Sequence, residues 1–69
     1  MTKIFAKRLK QARSAAGMSQ EALAGVCGIA YNTVYFLEKG RNLPNLYTAI
    51  LIADVLNVSI DWLVGRDEK

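Results

Sequence analysis

Two side chains that often carry enzyme chemistry, histidine and cysteine, are absent or nearly so from this sequence. It has one cysteine, Cys27, and no histidine. Nucleophilic catalysis needs a thiol or hydroxyl beside a general base, and histidine most often fills that role. No convincing nucleophile–base pair can be assembled, so the chain is expected not to be an enzyme. The same absence removes the usual zinc ligand sets, and one cysteine closes no internal disulfide. No cofactor and no metal are expected, and Cys27 reads as a small hydrophobe on a helix. Charge is the more informative signal. Residues 1–45 hold Lys3, Lys7, Arg8, Lys10, Arg13, Lys39 and Arg41 against Glu21 and Glu38, a balance of +5. Residues 46–69 hold Arg66 and Lys69 against Asp54, Asp61, Asp67 and Glu68, a balance of −2 within the chain's net +3. A basic N-terminal half suits a polyanion such as nucleic acid, and equally suits an ordinary solvated helix face.

These residues must be positioned by a very small scaffold. Sixty-nine residues at 7.6 kDa make one domain, and a chain of this size buries only about 60% of its unfolded surface. Self-association is the expected supplement, because a disulfide or metal staple is not available. No apolar run approaches the ~20 residues of a membrane span. The N-terminus lacks the apolar stretch of a signal peptide, which makes a reducing cytoplasm the expectation.

Helical periodicity recurs in five segments, with no strand pattern, internal repeat or low-complexity segment, so the fold class is all-α. Phe5, Leu9, Ala12 and Ala16 form one stripe of a first helix that Thr2 is placed to cap and Gly17 to end. Ser19 caps a second helix, Gln20 to Cys27, ended by Gly28. A third runs from about Tyr31 to Lys39 with Val34 and Leu37 inward. Its start is weakly signalled, since Ala30 cannot cap, and Asn32 is an alternative cap. After the loop Gly40–Pro44, Asn45 caps a fourth helix with Leu46, Ala49, Ile50, Ala53 and Leu56 inward, ending at Asn57. Ser59 caps the last, Ile60 to Val64, before Gly65. Residues 1–65 are thus the domain and 66–69 a polar C-terminal tail.

Residues 20–39 meet the demands of a helix-turn-helix, two short helices joined by a tight turn. Ala24 is small enough for the crossing, and Gly28 tolerates positive φ. Leu23, Cys27, Ile29, Val34 and Leu37 pin both helices to a common core. The runs Leu9-Lys10-Gln11-Ala12-Arg13 and Gly17-Met18-Ser19-Gln20-Glu21-Ala22-Leu23-Ala24 then resemble the phage lambda-type repressor and Cro family, also called Xre. So do Gly28-Ile29, Thr33-Val34, Leu37-Glu38-Lys39-Gly40, Pro44, and the ending Val58-Ser59-Ile60-Asp61-Trp62-Leu63. The resemblance covers about residues 5 to 65. It implies a compact five-helix bundle that binds double-stranded DNA sequence-specifically. The third helix would enter the major groove, with dimers reading two half-sites.

Carried over residue by residue, the resemblance makes Gln20 a phosphate contact that also braces the recognition helix. Arg13 and Glu38 become a partly buried structural ion pair. Arg41, Asn42 and Asn45 become sugar-phosphate contacts in the loop after that helix. Turn and cap chemistry is the alternative role of the two asparagines. Lys7, Lys10 and Lys39 are candidate phosphate attractors. The recognition helix itself departs from the family, showing Tyr31, Asn32, Thr33, Tyr35 and Phe36 where relatives commonly show glutamine, serine or arginine. Asn32 is the best base reader, since its amide pairs bidentately with adenine. Thr33 and Phe36 suit thymine methyls, and a tyrosine hydroxyl reaches a phosphate or base edge. The preferred half-site is therefore expected to be A·T-biased. Phe36 has alternatives as a core residue or as one packed under the Gly40–Pro44 loop. On the fourth helix Tyr47, Leu51 and Val55 form a second apolar stripe, expected to join Trp62 in a two-fold dimer interface.

The expectation is a homodimeric DNA-binding regulator, most simply a repressor on a pseudo-palindromic operator, with no membrane partner. Within that class the alternatives are a restriction–modification controller and an autoregulating antitoxin. Outside it, the aromatic face of the third helix is also what a protein-interaction surface looks like.

Overall fold

A computed structural model describes residues 1–66 as five helices: α1 Thr2–Ala15, α2 Gln20–Cys27, α3 Tyr31–Glu38, α4 Leu46–Leu56 and α5 Ile60–Leu63. No strand occurs among the described residues. None of these helices is long and apolar enough to cross a membrane. Asp67, Glu68 and Lys69, most of the expected polar tail, lie outside the described residues.

Three helices begin on side-chain caps that satisfy otherwise orphaned N–H groups. The Ser19 hydroxyl accepts from the Ala22 N–H at 3.0 Å, the Asn45 side-chain oxygen from Thr48 at 2.8 Å, and the Ser59 hydroxyl from Trp62 at 2.9 Å. Four helices end alike. A residue of positive φ is followed by one whose N–H reaches back to a carbonyl in the last turn: Met18 to Arg13, Ile29 to Ala24, Val58 to Ala53 and Arg66 to Asp61. Gly28 is the functionally important case, because its φ of 71° reverses the chain between α2 and α3. Asn57, at φ 57°, does the same after α4 and is the non-glycine residue at positive φ among those described.

Every helix contributes to one core. Phe5, Leu9, Leu23, Val34, Leu37, Ile52 and Leu63 are fully buried, with Ala24 and Cys27 where α2 meets its neighbours. Burial pushes the Cys27 thiol pKa up, which suppresses the thiolate and leaves the residue a packing group. The radius of gyration is 10.7 Å.

Several expectations are corrected at this level. Thr2 caps nothing: α1 begins at Thr2 itself, after Met1, with no side-chain cap bond. Ala16 lies past the helix end and is exposed. Asn32 is inside α3, whose N-cap is Ala30 without a side-chain bond; the Thr33 N–H bonds the Ala30 carbonyl at 3.0 Å instead. Lys39 and Val64 are C-cap residues rather than helical ones. The largest correction concerns α4. Its buried stripe is Ala49, Ile52, Ala53 and Leu56, while Leu46 is 70% and Ile50 42% exposed. Apolar residues occur on nearly every side of this helix. Its rotation is therefore set by which stripe fits the core, and the stripe with two alanines allows close approach. Ile52→Ala is expected to cost about 2–5 kcal/mol and Ile50→Ala a small fraction of that, in urea melts at low micromolar protein. A larger cost for Ile50→Ala than for Ile52→Ala would place α4 in the other rotation.

Candidate nucleic-acid interface

The surface built by α3 rests on a polar lock beneath it. Glu38, at the last turn of α3, has a side chain only 4% exposed, and Arg13 of α1 has one 12% exposed. Arg13 Nε donates to Glu38 Oε2 at 2.7 Å and Nη2 to Oε1 at 3.1 Å, so the guanidinium grips both carboxylate oxygens. Arg13 Nη1 also donates to the Met18 carbonyl at 2.7 Å, tying in the turn before α2. Gln20 at the start of α2 adds a bond from Nε2 to Glu38 Oε1 at 2.9 Å. One carboxylate thereby joins three helices. The hydrogen bond that Arg13 donates to Glu38 raises the Arg13 pKa, against the opposing effect of burial, so the arginine charge is committed to this lock at any ordinary pH.

With Val34 and Leu37 buried and Glu38 held from behind, the opposite side of α3 faces outward. Tyr31, Asn32, Tyr35 and Phe36 are exposed on that side and Thr33 is half-buried at its margin. Tyr31 and Tyr35 have ring centroids 6.2 Å apart, and Tyr35 meets Phe36 edge-on at 5.3 Å. Two cations cover this strip. Lys39 Nζ lies 5.4 Å from the Tyr35 ring centroid, and the Arg41 guanidinium carbon 5.3 Å from that of Phe36. Phe36 is thus 39% exposed and not a core residue, while Arg41 of the loop after α3 lies over its ring. A depression of about 330 Å³ lies between Asn32, Thr33, Phe36, Arg41 and Asn42. A second, of about 230 Å³, lies between Lys10, Gln20, Tyr35, Glu38 and Lys39.

The residues singled out in the sequence are therefore brought together unevenly. Gln20, Lys10 and Lys39 meet on one side of the aromatic strip, and Arg41 and Asn42 flank it on the other. Asn45 uses its side-chain oxygen as the α4 cap, and Asn42 makes a long 3.4 Å bond to the Leu43 carbonyl. Lys7 is exposed on α1. Of the four residues expected at a dimer interface, only Tyr47 is open, at 72%. Leu51 and Val55 are half-buried against the chain's own core. Trp62 is also packed within the chain: Arg8 lies 5.0 Å over its ring and donates to its carbonyl at 2.6 Å. On α4 and the loop before it, the exposed apolar residues are instead Leu43, Leu46, Tyr47 and Ile50; Met1, Ile4 and Val26 are exposed elsewhere. Sequence reasoning missed the α4 surface because Leu46 and Ile50 were assigned inward. Among the described residues there is no group of three or more histidine, cysteine or acidic side chains that could hold a metal.

The profile of the HTH_3 family, described as helix-turn-helix, matches residues 9–63. An uncharacterized HTH-type transcriptional regulator of Archaeoglobus fulgidus is 40% identical over 62 residues, covering 90% of this chain and 89% of that protein. The cryptic phage CTXphi transcriptional repressor RstR of Vibrio cholerae is 37% identical over 60 residues, 87% of this chain and 54% of its own length. The crystal structure of an HTH_3 family transcriptional regulator from Vibrio cholerae superimposes with a TM-score of 0.81 at 27% identity, covering 96% of this chain and 37% of that one. This chain thus spans about half of RstR and little more than a third of the crystallised regulator.

The lock should be strongly non-additive. Glu38→Ala leaves the part-buried Arg13 guanidinium without its carboxylate and is expected to cost up to about 3 kcal/mol, the low end for a fully buried pair, as is Arg13→Ala. The pair Arg13→Met with Glu38→Leu is expected to cost well under the sum of the two alanine effects, because no charge is left unpaired. Chemical denaturation of the three proteins checks this.

Proposed function

This chain belongs to the helix-turn-helix family, and we propose that it is a transcriptional regulator that binds double-stranded DNA with α3 in the major groove. The observation that carries this reading is the outward strip of α3. It is a rigid, exposed row of hydrogen-bonding and aromatic side chains, clasped by cations and locked from below by Glu38. A helix presented in this way matches the width of the B-DNA major groove.

The roles divide by chemistry. Asn32 offers the donor–acceptor fork that pairs with the N6 and N7 edge of adenine. Gln20 commits one amide N–H to Glu38 and has a second to donate to a phosphate. Lys10, Lys39 and Arg41 supply phosphate neutralisation, with Tyr31 and Tyr35 within reach of backbone or base edges. Asn42 lies against the backbone side of the same depression. Asn45 serves this surface by holding the start of α4, which fixes the end of the loop. Such phosphate contacts set register, and base-edge contacts set sequence.

The site is completed by a second copy. Leu43, Leu46, Tyr47 and Ile50 supply an open apolar surface on the α4 side of the loop that carries Arg41 and Asn42. Leu51 and Val55 of the same helix, with Trp62 of α5, are packed against the chain's own core. A two-fold contact here would set two recognition helices about 34 Å apart, one turn of DNA, on a pseudo-palindromic operator. Occupying an operator blocks access without catalysis, which makes repression the simplest outcome; RstR, by its name, is a repressor.

Affinity for duplexes selected from a random pool is expected to fall steeply with salt, log Kd rising by about 0.9 per phosphate contact for each tenfold increase. Lys39→Ala should lower that slope by about one contact without changing the selected sequence, whereas Asn32→Ala should relax an adenine position. Flat, absent binding at low salt would favour the aromatic face as a protein-docking surface. Tyr47→Glu is expected to shift sedimentation from dimer to monomer; a monomeric parent chain at high micromolar concentration would remove the α4 contact in solution.

A further inference from the structure

Two cations of the α3 surface are held by rings and not by carboxylates. Tyr35 and Phe36 are consecutive exposed residues, and their rings meet edge-on at 5.3 Å. Lys39 stands one helical turn after Tyr35. Helical side chains lean toward the N-terminus, and the Lys39 Nζ lies 5.4 Å from the Tyr35 ring centroid. Arg41 arrives by another route. Gly40, at φ 79°, turns the chain after α3, and the Arg41 guanidinium carbon returns to 5.3 Å from the Phe36 centroid. Among the described residues no carboxylate pairs with either cation. Glu38, the chain neighbour of Lys39, gives its oxygens to Arg13 and Gln20. The two ring–cation pairs border different depressions. Tyr35 and Lys39 line the one with Lys10 and Gln20, and Phe36 and Arg41 line the one with Asn32 and Asn42.

We infer that Tyr35 and Phe36 are positioning residues: each ring holds its cation, Lys39 or Arg41, in place for one of the two phosphate backbones that border the groove. The inference rests on the DNA-binding reading and adds the means by which two charges are aimed. Lysine and arginine side chains have large rotamer freedom, and fixing one on a phosphate ordinarily costs affinity at the moment of binding. A cation already resting on a ring has lost much of that freedom in the free chain. Its charge survives, because a ring face attracts a cation without neutralising it. A carboxylate partner would cancel the charge and compete with the phosphate. The guanidinium suits both contacts at once: its plane stacks on the ring, and the N–H groups at its edge remain to donate. The major groove is roughly 12 Å wide, so a helix lying in it has one backbone along each side. One held cation on each side of the strip answers that geometry. In this role the two rings serve binding through their neighbours and carry no base preference.

The test uses the full chain and a fluorescein-labelled duplex of random sequence, with affinity read by anisotropy at low salt. Phe36→Leu is expected to bind about two- to fivefold more weakly, the worth of one exposed cation–π contact. Phe36→Tyr, which keeps a ring, should recover most of that loss. In an Arg41→Ala background Phe36→Leu should have no further effect, because the cation it acts through is gone. Tyr35→Leu should behave in the same way against Lys39→Ala. The clasp itself is read without DNA: in the free chain the Phe36 ring current displaces the NMR signals of the Arg41 side chain, and Phe36→Leu abolishes the displacement. Far-ultraviolet circular dichroism verifies that each variant is folded. Undisplaced Arg41 signals overturn the clasp. Parental affinity in Phe36→Leu overturns the positioning role. So does a loss of equal size with and without Arg41, since the ring would then touch the duplex itself. Displaced signals in a parent chain that binds no duplex leave the clasp standing but overturn the DNA-binding reading, and the positioning role with it.

Discussion

The Glu38 carboxylate is the interaction on which the rest of this small protein depends. It sits at the end of α3, almost without solvent, and is shared by Arg13 of α1 and Gln20 of α2. A charge in that position is tolerable only because both of its oxygens are bonded and its partner is a planar guanidinium. The consequence is orientational. Val34 and Leu37 could keep α3 on the core through a range of rotations, since apolar contact is non-directional. The directed bonds to Glu38 select one of them. They therefore decide which side chains of α3 face outward.

The scaffold around this lock uses local devices throughout. Short helices of eight residues, such as α2 and α3, are too short to persist alone. They persist here because caps and turns remove the unsatisfied groups at their ends while the core holds their inner faces. α3, like α1, has no capping side chain at its start. Its stability comes from tertiary contacts, Val34 and Leu37 below and Glu38 at its end.

The outward strip combines two chemistries that are usually separated. Aromatic rings supply apolar area, and Lys39 and Arg41 lie over two of them. The cations partly shield the rings from water and remain positioned for a polyanion. This explains how a short chain carries Tyr35 and Phe36 on its surface without burying them.

Much of the architecture was legible because it is governed by neighbours in the chain. Ser19, Asn45 and Ser59 announce helix starts through their own backbone, and Gly28 and Asn57 announce stops, since each acts within a few residues of itself. The helix-turn-helix segment was visible for the same reason. The Arg13–Glu38 pair was reachable only through family resemblance, since 25 residues separate its members. Two matters were decided by tertiary structure alone. The rotation of α4 could not be read because its apolar residues surround it, and only packing against the core chose Ile52 over Ile50. The arrangement of Tyr35, Phe36 and Arg41 depends on the path of the loop after α3, which no local rule specifies. Sequence determines what is set by nearest neighbours; the choice among equivalent faces belongs to the assembled core.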